Sequence, residues 1–372
     1  MKEQDGSNKL GQARTRRGFL ATASSLGGVT ALSSTVVGGN VRRKRVPKYI
    51  RGGETLQTMK VPRAWLQQEK RAKQAKEQLL DKHSETDAII KSSLIRSEKQ
   101  YGGMNGFDIE VYLDQERSTP DLPDAVSGIV VQTEEVSTDS FRQAGCYNAG
   151  NFSNYKGGML ISDNSTFGSP GTGTAGYPVS KNGGDYMLSA QHVFADCEWS
   201  FLNETFQKSE SLGYVAKGSV SGDYIASAVD SNGTDLTNQI QEPDGPARTV
   251  SGAASEHEIS RRVSAPFDGY TAVGVTTGKT TGGLTNKNYT MKGCNDLRGE
   301  GFIGGADGAA GDSGGPMYSV EDGDAYMLGH LSAIAEKKNN MTTCGGSDVI
   351  RYNRSIGFPA YEVENDGFTV GI

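Results

Sequence analysis

GADGAAGDSGGPMY, residues 305–318, sets a single serine, Ser313, in a run of glycines that ends on Pro316. Its GDSGG core satisfies the loose pattern G-x-S-x-G, which more than one architecture uses to present a nucleophilic serine. In a strand-turn-helix elbow, a helix starts directly after the serine, and the acid and then the histidine follow it in the chain. Gly314, Gly315 and Pro316 oppose a helix start, and the only later histidine is His330. The elbow is therefore excluded.

The alternative order places a histidine and then an aspartate upstream of the serine. DYMLSAQHVFADC runs the apolar residues Met187, Leu188 and Ala190 into His192, which is the pattern of a strand ending on a histidine. Of the other histidines, His83 lies in a charged segment, His257 in the polar SEHEIS, and His330 after the serine. Between His192 and Ser313, GSVSGDYIASAV supplies Asp223 just ahead of Tyr224, Ile225 and Ala226.

These residue types suit one chemistry. A serine hydroxyl is a weak nucleophile until a base takes its proton, and an imidazole can do so near neutral pH. An aspartate behind the imidazole fixes its tautomer and stabilises the imidazolium. Backbone N–H groups of Gly311 and Ser313 could serve as an oxyanion hole, where side chains would crowd a substrate carbonyl.

LSAQHV, GDYIA, GDSGGP and GHLSAI, in this order, resemble trypsin/chymotrypsin-like serine proteases, and GKTTG at 278–282 resembles a segment of the bacterial streptogrisin and α-lytic branch. The motifs span residues 146 to about 360. The resemblance implies a mainly β fold of two antiparallel six-stranded barrels, near 141–240 and 245–372, with His192, Asp223 and Ser313 as triad and no cofactor or metal. It implies that Asp312 is a buried brace; Thr276 stands where the bacterial branch carries its arginine partner, which leaves Lys279 as a substitute. Ser332 is implied to hydrogen-bond the triad aspartate and line the substrate cleft. Asp307, six residues before Ser313, takes the place of the carboxylate that selects Lys or Arg in the trypsin branch, although Ala309 and Ile334 depart from the usual pocket residues.

Four cysteines, Cys146, Cys197, Cys294 and Cys344, fit two disulfides in an exported protein and allow three pairings. The resemblance implies Cys146 with Cys197 and Cys294 with Cys344.

Charge divides the chain of 372 residues. Residues 1–100 carry 21 Lys and Arg against 9 Asp and Glu, and the remainder 17 against 35. An acidic main body argues against nucleic acid as a partner. ARTRRGFLATASS, with Arg16 and Arg17 before Phe19 and Leu20, resembles a twin-arginine export signal over residues 1–38. No run reaches the roughly 20 apolar residues of a membrane anchor.

A basic α+β unit over 39–140 reads as a pro-segment docked by charge on the acidic domain at 141–372. Within it, Pro62, apolar pairs such as Leu79–Leu80 and Ile89–Ile90, and a Gly102–Gly103 stop predict one helix. FDIEVYLD, 107–114, predicts a strand, and LPDAVSGIVVQTEEV a turn and a second strand. Seven N-x-[ST] sites, at Asn151, Asn164, Asn203, Asn232, Asn288, Asn340 and Asn353, all fall after residue 150. The expected activity is that of a secreted serine endopeptidase acting on protein or peptide substrates and on its own pro-segment. The alternatives are a self-processing or a pseudoprotease-type surface protein.

Overall fold

The computed structural model describes residues 41–84, 88–114, 120–136, 147–150, 152–163, 171–194, 203–207, 210–229, 235–265, 268–291, 301–342 and 348–372. All of these lie in one compact unit, Val41–Ile372. The fold is mainly β, as expected, with three helices among the described residues: α1 (Arg63–Lys82), α2 (Glu256–Ser264) and α3 (Ala360–Asn365).

Six strands close a barrel entirely by antiparallel pairing. Around it run Gly269–Gly274, Gly278–Met291, Gly301–Gly304, Asp348–Pro359, Asp324–Thr342, Pro316–Glu321 and then Gly269–Gly274 again. Val273, Ile303, Tyr318, Met327 and Ile356 are buried in one of its clusters. Closure leaves no free edge within the ring. The preceding part of the chain forms an eight-stranded sheet, ordered from Thr369–Val370 through Pro178–Lys181, Gly184–Ala190, Tyr224–Val229, Glu210–Ser219, Glu204–Gln207 and Leu160–Ser162 to Thr172–Thr174. The chain's C-terminal end thus returns to complete the sheet of its first half.

The basic N-terminal segment is woven into the barrel. Arg43–Arg51 pairs with Arg248–Ala254, and Ile89–Tyr101 pairs with Gly278–Met291, both antiparallel. One apolar cluster joins Tyr49, Trp65, Leu79, Leu94 and Phe107 to Ile259, Val263, Leu284, Phe302 and Met317. Trp65 is fully buried, and its indole N–H donates to the Asn105 carbonyl (2.9 Å) and to Ser264 Oγ (3.1 Å).

The single helix expected up to Gly103 ends at Lys82. Ile89–Tyr101 is a strand, and Gly102–Gly103 is the hairpin turn into Met104–Asp114 rather than a helix stop. The run IIKSSLI carries β-branched residues and can be buried on both faces between two partner strands. The strand expected at 107–114 lies within Met104–Asp114, and Ile129–Val136 pairs with it in parallel.

Candidate active site

The strand Gly184–Ala190 buries Met187 to Ala190 and runs into a 3₁₀ turn, Gln191–Val193, that carries His192. Tyr224–Val229 pairs beside it in antiparallel register, with Ala190 opposite Tyr224. The residues just beyond Ala190 and just before Tyr224 therefore meet. His192 Nδ1 lies 2.9 Å from each carboxylate oxygen of Asp223, and the His192 backbone N–H donates to Oδ1 at 3.1 Å. The Asp223 side chain is fully buried, whereas that of His192 keeps 23% exposure, so one end of the imidazole is shielded and the ring remains accessible.

Asp223 holds a left-handed backbone, φ +45°, which a non-glycine residue adopts at a cost of order 1 kcal/mol. Its carbonyl is fixed from two sides, by the Gln191 N–H (3.2 Å) and by His330 Nε2 (3.0 Å). His330 is wholly buried, and that burial depresses its pKa to about 4. It is therefore neutral at pH 7, with its proton on Nε2 to donate to the Asp223 carbonyl.

The strand bearing His330 also holds the serine turn. Leu331 N donates to the Gly315 carbonyl (2.8 Å), and Gly314 N donates to the Leu331 carbonyl (2.7 Å). Consecutive residues of one strand thus fix the aspartate and the turn of half-buried Ser313. Thr174 clamps the same turn: its N–H donates to the Ser313 carbonyl (2.7 Å) and its hydroxyl to the Gly311 carbonyl (2.9 Å). Gly314 has φ +87°, and a Cβ there would meet Ser189 Oγ at 2.2 Å and Ala190 N at 2.9 Å, which places the turn against the end of the histidine strand. Gly311 has φ +97°. Among the described residues, the N–H groups of Gly311 and Ser313 donate to no backbone acceptor.

Asp312 is buried, and among the described residues no cation pairs with it. Oδ1 accepts from the backbone of Thr276 (2.8 Å) and Thr277 (3.1 Å); Oδ2 accepts from the Thr277 hydroxyl (2.7 Å) and from Ala309 N (2.8 Å). Burial pushes its carboxyl above the usual range, against the pull of these bonds. Lys279, expected as its partner, instead pairs with Glu242 at 2.7 Å. Two adjacent backbone N–H groups and a hydroxyl on the 274–278 turn take the role that a basic side chain was expected to fill.

Asp307 is engaged by two cations. Arg351 pairs with its Oδ2, and Lys338 Nζ lies 3.2 Å from Oδ1. The carboxylate is thus already compensated. Ser332 is buried but makes no hydrogen bond to Asp223, and among the described residues its hydroxyl has no partner. It lies at a bulge between Leu331 and Ala333, where the pairing register with Asp348–Pro359 shifts. Cys146, Cys197, Cys294 and Cys344 lie outside the described residues, as does the segment read as an export signal. Of the N-x-[ST] sites, Asn288 is buried, with 8% exposure. Among the described residues no cluster of potential metal ligands occurs, and no helix is long and apolar enough to cross a membrane.

No protein-family model matches the chain, and no match is found among curated proteins. Similar solved structures include Thermobifida fusca Protease A, 19% identical, with a TM-score of 0.42 over 59% of this chain and 98% of that one. Nocardiopsis protease is 16% identical, with a TM-score of 0.42 over 59% of this chain and 100% of its own. A glutamic acid specific serine protease, described as using a histidine triad in substrate binding, is 20% identical, with a TM-score of 0.44 over 58% of this chain and 100% of that one.

Proposed function

We propose that the chain is a serine endopeptidase whose triad is His192, Asp223 and Ser313. The observation that carries this reading is the contact between His192 Nδ1 and the buried Asp223 carboxylate, next to a serine turn braced by the same strand. With Nδ1–H donated to Asp223, the lone pair sits on Nε2, the tautomer a general base needs. Ser313 Oγ attacks the peptide carbonyl carbon as its proton passes to His192. The carbonyl oxygen, now an anion, takes the N–H groups of Gly311 and Ser313. His192 returns the proton to the departing amine, and the acyl group stays on Ser313. Water then repeats the sequence: His192 takes its proton, the acyl–oxygen bond to Ser313 breaks, and the proton goes to the serine.

A preference for Lys or Arg before the scissile bond would need Asp307 free of cations. Arg351 and Lys338 occupy it, so the proposal carries no such preference. Arg16 and Arg17 support export through a twin-arginine signal at 1–38, and the charge contrast supports 39–140 as a pro-segment on the 141–372 domain.

The test is labelling of the purified protein with a fluorophosphonate, alongside casein cleavage and chain mass. Wild type should label and cleave casein, and Ser313→Ala should do neither. No label on wild type would overturn the reading; label with a shortened chain but intact casein would assign the activity to self-processing.

A further inference from the structure

We infer that Arg351 and Lys338 form a cationic subsite that selects a carboxylate side chain, glutamate above all, on the acyl side of the scissile bond. The inference rests on the protease reading above and deepens it.

The segment that carries Asp307 leads directly into the serine turn. Ala309 N and Ala309 O both bond Asp312, the residue before Ser313. On its other side the segment lies against the Asp348–Pro359 strand, because Gly308 and Tyr352 exchange two backbone bonds of 3.0 and 2.9 Å. Arg351 is thus held beside Asp307 by the backbone itself. Ile334 packs over Gly308, where its Cγ2 would lie 2.8 Å from an added Cβ. Ile334 stands three residues beyond Leu331, the anchor of the serine turn, which is about 10 Å of strand. One strand therefore joins the serine turn, at Leu331, to the segment that carries Asp307, at Ile334.

Charge decides what that side chain can be. Two cations share one carboxylate, so the group carries one surplus positive charge. Asp307 keeps 15% exposure while Arg351 and Lys338 keep 34% and 46%, so the anion is the covered member and the cations face solvent. A guanidinium has five N–H donors and an ammonium three, and Asp307 takes only a fraction of them. The neighbouring carboxylate on this hairpin, Glu336, is paired with Arg354 at 2.8 Å and does not cancel the surplus. An arriving Lys or Arg would meet two like charges, whereas a carboxylate would complete a second ion pair. Ile334, packed over Gly308 next to Asp307, offers an apolar wall to the methylenes of an unbranched side chain with its charge at the tip.

The experiment compares kcat/KM on peptides that differ only before the scissile bond, carrying Glu, Asp, Gln, Lys, Arg or Phe. Glu should exceed its isostere Gln by tenfold or more at low salt, and the ratio should shrink toward one in 1 M NaCl, where the screening length is about 3 Å. Arg351→Gln and Lys338→Gln should each lower the ratio; Lys338, the more exposed, remains informative if the Arg351 variant does not fold. Asp307→Asn, which removes the competing anion, should raise it. Preference for Lys or Arg, or a Glu-to-Gln ratio near one in protein that labels with fluorophosphonate, would overturn the subsite alone. Absence of labelling would overturn the protease reading beneath it.

Discussion

His330 shows how one buried side chain links stability to the geometry around Asp223. Its pKa is lowered from 6.5 to about 4, with desolvation as the leading cause and the attraction of Asp223 opposing it. Between those two values the unfolded chain holds a proton that the folded one refuses. Stability from this group is therefore fully present above about pH 6.5 and is lost as pH falls toward about 4, by up to about 3 kcal/mol. Urea midpoints at pH 7 and pH 4.5 measure the loss, and His330→Gln should show a smaller one, because other carboxylates titrate alike in both proteins. Equal losses would remove His330 from the acid response. No motif in the sequence points to this role, and its place after Ser313 sets His330 aside as a triad base. His192 and Asp223 are legible because the chemistry demands those residue types in that order. Asp312's partners are not, since backbone N–H groups carry no residue signature, and neither is Thr174, whose clamp on the serine turn depends on a strand more than a hundred residues away.

At the scale of the element, α1 meets α2 and the Gly278–Met291 strand through a buried ion pair between Glu69 and Lys287, 5% and 3% exposed. Burial raises the Glu69 carboxyl, but Lys287 and the Ser260 hydroxyl more than offset it and hold it below its ordinary value. The ammonium of Lys287 also stands 5.3 Å from the centre of the Phe107 ring. Removing one partner leaves a charge without its main counter-ion in a nearly dry site. Glu69→Leu should cost about 3–5 kcal/mol, and the double variant Glu69→Leu with Lys287→Met should recover most of it. Denaturant unfolding of both variants checks this; additive losses would mean that the pair is not coupled. The same region explains where the reading of this segment as one helix fails. Charged and apolar residues alternate densely in both α1 and Ile89–Tyr101, and only the partner strands on either side of the latter, supplied from residues 104–114 and 278–291, decide for strand.

For the whole molecule, the opposed charges of the two halves suggest that the N-terminal part is held by attraction through solvent. The contacts differ from that. Tyr49 and Ile50 pair with Ala254 and Ala253, Tyr49 stacks on Tyr326 at 3.9 Å between ring centres, and Leu94 lies opposite Lys287 in a ladder that continues to Met291. Trp65, Leu79 and Phe107 share a core with Phe302 and Met317. Backbone pairing and apolar burial are insensitive to ionic strength, whereas exposed charge pairs lose their attraction within about 3 Å at 1 M salt. A protease site inserted in the 137–146 segment would separate the covalent chain into its two parts after folding. The fragments should then co-elute in gel filtration at both 0.05 and 1 M NaCl and part only in denaturant. Dissociation by salt alone would show that long-range charge, rather than the shared sheet and core, holds residues 41–136 to the barrel.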